Sequence, residues 1–370
     1  MVNSHAAVVQ ASNDIHNNME NFREAFMPPE DKQMSLSIAI LLDIFTMGYA
    51  SSMAVLWNKG LAKGTFAEDH ENTFDTIKDA TNDLTYNGVG LAKDIIAEKD
   101  KNKDLPPEDK LRKWVSKTTQ IWRDTLTENQ SWLFGGNKTK RGDKEDYYGL
   151  NTLGLLIGSG SSSSLEAVNF EEAAGDVRKT LYADMIPLAW RVTQEDRNPF
   201  ILDSGLSCDE SFSDLSHYME RGLIDSDMVC VDDRAYFLAG TYRSRDLCHE
   251  SHLNISCPKF RSLPGTETLG DGSEEDWNVI TREAIVRGSL NTYWANGSVN
   301  KDWKEREPTT EEAWKEKMWE WQEKHEEGKE KLEVAGTFTL PVCAVREAWV
   351  TQFEKHDWSG EDRGANYPCP

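Results

Sequence analysis

The residues of this chain with the clearest shared chemical purpose join aromatic rings to cationic groups: Trp190-Arg191, Tyr236, Tyr242-Arg243, Arg287, Tyr293-Trp294 and Trp349. Arg and Tyr donate hydrogen bonds and Trp supplies a flat apolar wall. Such a set could line a mostly apolar cavity with a few directed donors, the usual construction of a small-molecule site. Each residue also has a plainer reading, the rings as core packing and the guanidinium groups as surface or interstrand ion pairs.

Other chemistries are less well supplied. A serine hydrolase needs a nucleophile elbow, and Ser204-Gly205 follows Ile201-Leu202-Asp203 with the wrong spacing. His249 and His252, beside Cys248 and near Cys257, lack the Glu arrangement of a zinc hydrolase and read as a surface loop stapled by a disulfide. The Gly-Ser run at 158–164 lacks both the Lys of a P-loop and the spacing of a dinucleotide fingerprint, so it reads as a loop. No metal ion and no cofactor are expected. A glycosidase needs two opposed carboxylates, but 64 Asp and Glu residues make some such pair inevitable, and their abundance does not discriminate.

The elements that must position these residues are α+β in pattern. Residues 8–27 read as an amphipathic helix ended by Pro28-Pro29. Residues 34–57 form a long apolar run whose only charge is Asp43, read as a central core helix, with a membrane-inserting element or a pocket wall as alternatives. Residues 67–99 and 107–127 carry apolar positions at helical spacing, and 129–148 reads as an exposed loop. Beyond residue 175 come short segments with strand-like runs at 200–202, 228–231, 235–239 and 337–342, and one further helix at 311–332. The expected organisation is a mostly helical part over 1–150 and a mixed part over 151–370 that carries every cysteine, packed together as one unit.

Composition bounds the partners and the compartment. A formal net charge of -23 argues against binding a phosphate backbone or an anionic membrane surface, so nucleic acid is excluded, and no stable membrane span is expected because Asp43, Ser35, Ser37, Thr46, Ser51 and Ser52 interrupt the apolar run. With 13 Trp, 13 Phe and 10 Tyr, the chain has far too many aromatics for a disordered acidic polypeptide. The cysteines, Cys208, Cys230, Cys248, Cys257, Cys343 and Cys369, are even in number and suit disulfides in an oxidising compartment. Sequons at Asn129, Asn137, Asn254 and Asn296 point the same way, to the secretory pathway or the extracellular space. The opening Met-Val-Asn-Ser-His has neither a basic nor an apolar leader region, so no signal peptide is expected in this stretch.

The runs Arg178-Lys179-Thr180-Leu181-Tyr182-Ala183-Asp184-Met185-Ile186-Pro187-Leu188-Ala189-Trp190 and Ile201-Leu202-Asp203-Ser204-Gly205-Leu206-Ser207-Cys208 resemble a group of secreted fungal proteins. The apolar segment and Ala235-Tyr236-Phe237-Leu238 fit the same pattern. The group includes the hetero-Diels-Alderases of tropolonic sesquiterpenoid pathways. The resemblance implies a cofactor-free pericyclase that adds a tropolone ortho-quinone methide across an alkene of a humulene-type macrocycle. Its partners would be small apolar polyene and quinone-methide substrates. By residue type, Arg191, Tyr242, Arg243, Arg287 and Tyr293 are then the candidate donors to the carbonyl oxygen, with Trp190, Tyr236, Trp294 and Trp349 as walls. Two rivals stand beside it: a secreted membrane-active or host-interacting protein, and a secreted glycan hydrolase using paired carboxylates.

Overall fold

A computed structural model describes residues 2–27, helical positions between 112 and 127, 139–141, 144–146, 170–192, 198–241, 249–251, 254–256, 259–270, 276–301, 332–333, 335–354 and 366–369. The apolar run at 34–57, the helix expected at 67–99, the Gly-Ser run and all but the end of the helix expected at 311–332 lie outside these residues. So do Tyr242, Arg243, Cys248, His252, Cys257, Asn129 and Asn137. The architecture is α+β, helices with a mixed sheet. The chain divides into two compact units, one of 1–17, 45–180 and 308–328, the other of 18–44, 181–307 and 329–370.

In the first unit, helix α1 (Val2–Asn17) buries Ala7, Val8, Ala11 and Ile15, the three-to-four-residue spacing of one helical face. Ser12 donates to the Thr119 hydroxyl at 3.1 Å, and Arg178 donates to Asp14 at 2.7 Å. Every described position between 112 and 127 is helical. The stretch expected as a loop contains a small antiparallel hairpin, β1 (Thr139–Arg141) with β2 (Lys144–Asp146).

The single helix expected at 8–27 is two. Asn18 leaves helical geometry at φ -93° and ψ 5°, and α2 (Met19–Phe26) restarts when the Asn18 carbonyl accepts from Phe22. The break falls at the polar Asn17-Asn18 pair, a residue type of low helix propensity. Helix α3 (Phe170–Val192) was not legible from its sequence, since Pro187 lies inside it and reads as a breaker. Its second half belongs to the second unit, where Tyr182 and Trp190 meet Phe22 and Phe26 of α2 and Trp277 in one aromatic cluster. The buried indoles keep partners: Trp190 donates to the Pro264 carbonyl and Trp277 to the Thr268 hydroxyl.

The sheet of the second unit is built around β3 (Pro199–Ser207). This strand runs antiparallel to β5 (Arg234–Gly240) and parallel to β9 (Val342–Ala344), while β4 (Met228–Val231) pairs with the outer side of β5. A short strand, β8 (Arg261–Ser262), joins the end of β5, and β6 (His249–Ser251) with β7 (Asn254–Ser256) forms a separate hairpin. On one face Phe200, Leu202, Ala235, Phe237 and Ala239 pack with Phe260, with Leu223 of α4 (Arg221–Ser226) and with Val345 and Ala348 of α6 (Val345–Trp349). Helix α5 (Arg282–Ala295) packs against β4, β5 and β9.

The run expected as a strand at 337–342 pairs with β3 only from Val342 onward. Upstream, the Thr292 hydroxyl bonds the Phe338 carbonyl at 2.6 Å and accepts from the Gly336 amide at 2.7 Å, and Pro341 has no N–H to offer a ladder. Two disulfides, Cys208–Cys230 and Cys343–Cys369, close on the sheet.

Candidate functional site

Beside β5, the structure gathers polar and aromatic groups around a tight hairpin. Between β4 and β5 the turn is Asp232-Asp233, both in the left-handed region at φ 51° and 64°. A two-residue hairpin with this twist needs positive φ at both positions, which Asp tolerates better than most side chains. The strain is held in place: Ser207 donates to Asp233 at 3.1 Å, and the Cys208 amide donates to its carbonyl.

From this turn β5 runs on with Arg234 and Tyr236, two residues apart and so on one face of the strand. Arg234 donates to Asp203 of β3 at 2.6 Å, and this bond holds its guanidinium protonated above its ordinary range. Tyr236 is buried, and burial raises its phenol pKa, with Asp203, Asp232 and Tyr293 adding to the effect and Arg234 opposing it. On α5, Arg287 donates to Glu283 at 2.8 Å, which raises its pKa, and Glu333 and Asp232 act in the same direction. Asp232 thus acts electrostatically on both Tyr236 and Arg287. The result is an acidic rim with two paired guanidinium groups, a phenol kept protonated and the half-buried ring of Tyr293.

The cluster therefore unites Tyr236, Arg287 and Tyr293 from the sequence reading, and it adds Asp203, Asp232, Arg234 and Glu283. The additions were signalled only by an Asp-Asp pair between strand-like runs and by Thr281, whose side chain caps α5 by accepting from the Ala284 amide. The other candidates lie elsewhere. Arg191 ends α3 and donates to the Thr339 carbonyl, and Trp190 belongs to the buried aromatic cluster. Trp349 packs on Tyr218, Phe260 and Phe353 beneath the sheet. Trp294 is 42% exposed at the end of α5.

A second chemically unusual group was missed altogether. Asp184 on α3 has Oδ2 buried with no hydrogen-bond partner among the described residues, and burial drives its pKa well above the ordinary carboxylate value. It lies three residues before Pro187, in a helix the sequence reading did not place.

The two bridges belong to an oxidising compartment, and the chain is a protein of the secretory pathway or the extracellular space. Among the described residues no helix is long and apolar enough to cross a membrane. No family model matches the chain, and no solved structure matches it. It is similar to two proteins of the fungus Penicillium expansum. The probable chitinase LysM18 is 25% identical over 384 aligned positions, covering 97% of this chain and 24% of that protein. The secreted chitinase LysM12 is 24% identical over 341, covering 80% of this chain and 20% of that protein. The chain thus spans about a quarter or less of the length of these relatives.

Proposed function

We propose that this chain is a glycan-directed module that engages amino-sugar polymers of the chitin type at the face formed by Tyr236, Tyr293, Arg287, Asp203 and Asp232. The observation that carries the reading is the alignment of 97% of the chain with one quarter of a protein named as a probable chitinase, so that a unit of this size recurs within a longer protein so named. The face suits the ligand. Sugars offer hydroxyl groups that both donate and accept, and carboxylates beside guanidinium groups supply both complements, while a tyrosine ring can pack on the apolar face of a pyranose. The chain's charge of -23 further favours neutral or partly deacetylated, cationic polymers over anionic ones.

The test is depletion of the purified chain by insoluble chitin, chitosan and cellulose. The expected result is retention on the first two, with Tyr293→Ala weakening binding about tenfold, the worth of one aromatic contact. Equal recovery in the supernatant for all three polymers would refute the reading. Release of reducing ends from chito-oligosaccharides in the same samples separates binding from hydrolysis.

A second reading is the pericyclase that the sequence resemblance implies. What favours it is the grouping of the Tyr236 and Tyr293 phenols, groups of the type that donate to an oxygen gaining electron density. A tropolone quinone methide generated with humulene should give one enantiomer of adduct in excess with the protein present. Identical racemic product with and without it removes this reading.

A further inference from the structure

We infer that the Cys208–Cys230 bridge is a redox lock on the β4–β5 hairpin: thiol reductants open it while Cys343–Cys369 stays closed, and its opening weakens binding at the face of Tyr236 and Tyr293, a consequence that rests on the ligand face proposed above. The two bridges stand in opposite surroundings. Cys343 and Cys369 are 6% and 4% exposed, and both belong to the apolar cluster beneath the sheet. Cys230 is exposed on β4, and half-buried Cys208 precedes the exposed pair Asp209-Glu210. Thiol–disulfide exchange requires a thiolate to reach the sulfur it attacks, so access decides which bridge reacts.

The exposed bridge is also the one tied to the turn. In the sheet β5 lies between β4 and β3, and the bridge joins β4 to the residue that follows β3, past the start of β5. The neighbours of Cys208 hold the turn in place, since the Ser207 hydroxyl and the Cys208 amide are the groups that bond Asp233. Upstream, the ladder between β3 and β5 is interrupted between Asp203 and Ser207. What spans that interruption is the Arg234 bond to Asp203 and the Ser204 hydroxyl on the Ala235 carbonyl, and an ion pair as open to water as the first contributes little. Cutting the covalent tie frees the end of β3 from the hairpin, and the left-handed Asp232-Asp233 turn loses its clamp. The start of β5, which carries Arg234 and Tyr236, loosens with it. The core beneath the sheet keeps its own bridge, so the change is a local opening and not unfolding.

The exchange balances with a dithiol as reductant. One thiolate of the reagent attacks the exposed Cys230 sulfur, the bond between the cysteine sulfurs breaks, and its electron pair leaves on the Cys208 sulfur, which takes up a proton. The second thiolate of the reagent then displaces Cys230, which takes up a proton in turn, and the reagent departs as a cyclic disulfide.

The test treats the full oxidised chain with dithiothreitol in the absence of denaturant and follows alkylated peptides by mass spectrometry, backbone hydrogen exchange and retention on insoluble chitin. Alkylation of Cys208 and Cys230 is expected to run at least about tenfold faster than that of Cys343 and Cys369. Exchange at 203–208 and 229–236 should rise several-fold with 342–345 unchanged, and chitin retention should fall and return on reoxidation. Joint replacement Cys208→Ala and Cys230→Ala should reproduce the open state without reductant. Opening of both bridges at one rate overturns the selectivity, and unchanged exchange in the hairpin after selective reduction overturns the lock. Chitin retention that survives selective reduction overturns control of the face. An oxidised chain that never binds chitin removes the ligand face instead, and the exchange measurement then decides the lock alone.

Discussion

At the scale of single residues, two buried acids in this protein are treated in opposite ways. Asp227, almost wholly enclosed, is matched by Arg282 at 3.0 Å and by the Thr266 hydroxyl at 3.4 Å, so its charge has partners on two sides. Asp184 has a carboxyl oxygen with none among the described residues, and its proton is held in the folded state at pH values where an unfolded Asp, ordinarily near 3.9, has lost it. Because its folded pKa is raised, the native state binds the extra proton, and stability falls as pH rises from about 4 through the folded value. Replacement Asp184→Asn removes that titration. The variant should match the parent most closely near pH 4 and become progressively more stable than it toward pH 7, read as a widening gap in melting temperature. A gap that is constant with pH would show that Asp184 ionises freely in the folded protein.

Among the elements, α5 organises most of what surrounds it. Thr281 caps its start, a Schellman turn closes its end, and Thr292 in its last turn reaches across to fix the backbone at Gly336 and Phe338. Gly288, one turn earlier, lies so close to that segment that an added methyl would fall 2.8 Å from both the Leu332 carbonyl and the Phe338 ring. Thr292→Val keeps the shape but leaves a buried carbonyl and a buried amide unpaired, and a loss of about 1–3 kcal/mol is expected in denaturant unfolding. The strands with simple alternation were legible before the structure: β4 falls where its four residues predicted it, and β3 and β5 extend the runs seen at 200–202 and 235–239. What stayed hidden was set by contacts distant in sequence. Nothing within 337–342 shows that a threonine over forty residues away holds its backbone out of the ladder, or that α3 tolerates Pro187 among packed aromatics. For the candidate site the same rule held: Tyr236, Arg287 and Tyr293 were singled out by residue type, but nothing in their own segments shows the two-aspartate turn that the pairing of Val231 with Arg234 closes beside them.

Across the molecule, cross-links and polar clamps concentrate at the borders of the sheet. Among the described strands β4 and β9 lie at the ends of the main path, and each contains one cysteine of a bridge, Cys230 and Cys343. The bridges close loops of 22 and 26 residues, so removing either should cost about 3 kcal/mol by chain entropy. Paired Cys208→Ala and Cys230→Ala substitutions should therefore lower the unfolding midpoint clearly without changing the far-ultraviolet spectrum of the folded chain; an unchanged midpoint would place the native constraint elsewhere. On the open side of β9 a single side chain does the work of a neighbouring strand: Asn300 accepts from the Val342 amide at 2.9 Å and donates to its carbonyl at 2.8 Å. An amide that satisfies both groups of one residue also denies them to any other polypeptide. Chains made in a reducing cytosol would lack the covalent half of this protection while β9 is still seeking its clamp, and their loss would appear as polymer in the pellet, with the soluble remainder behaving normally.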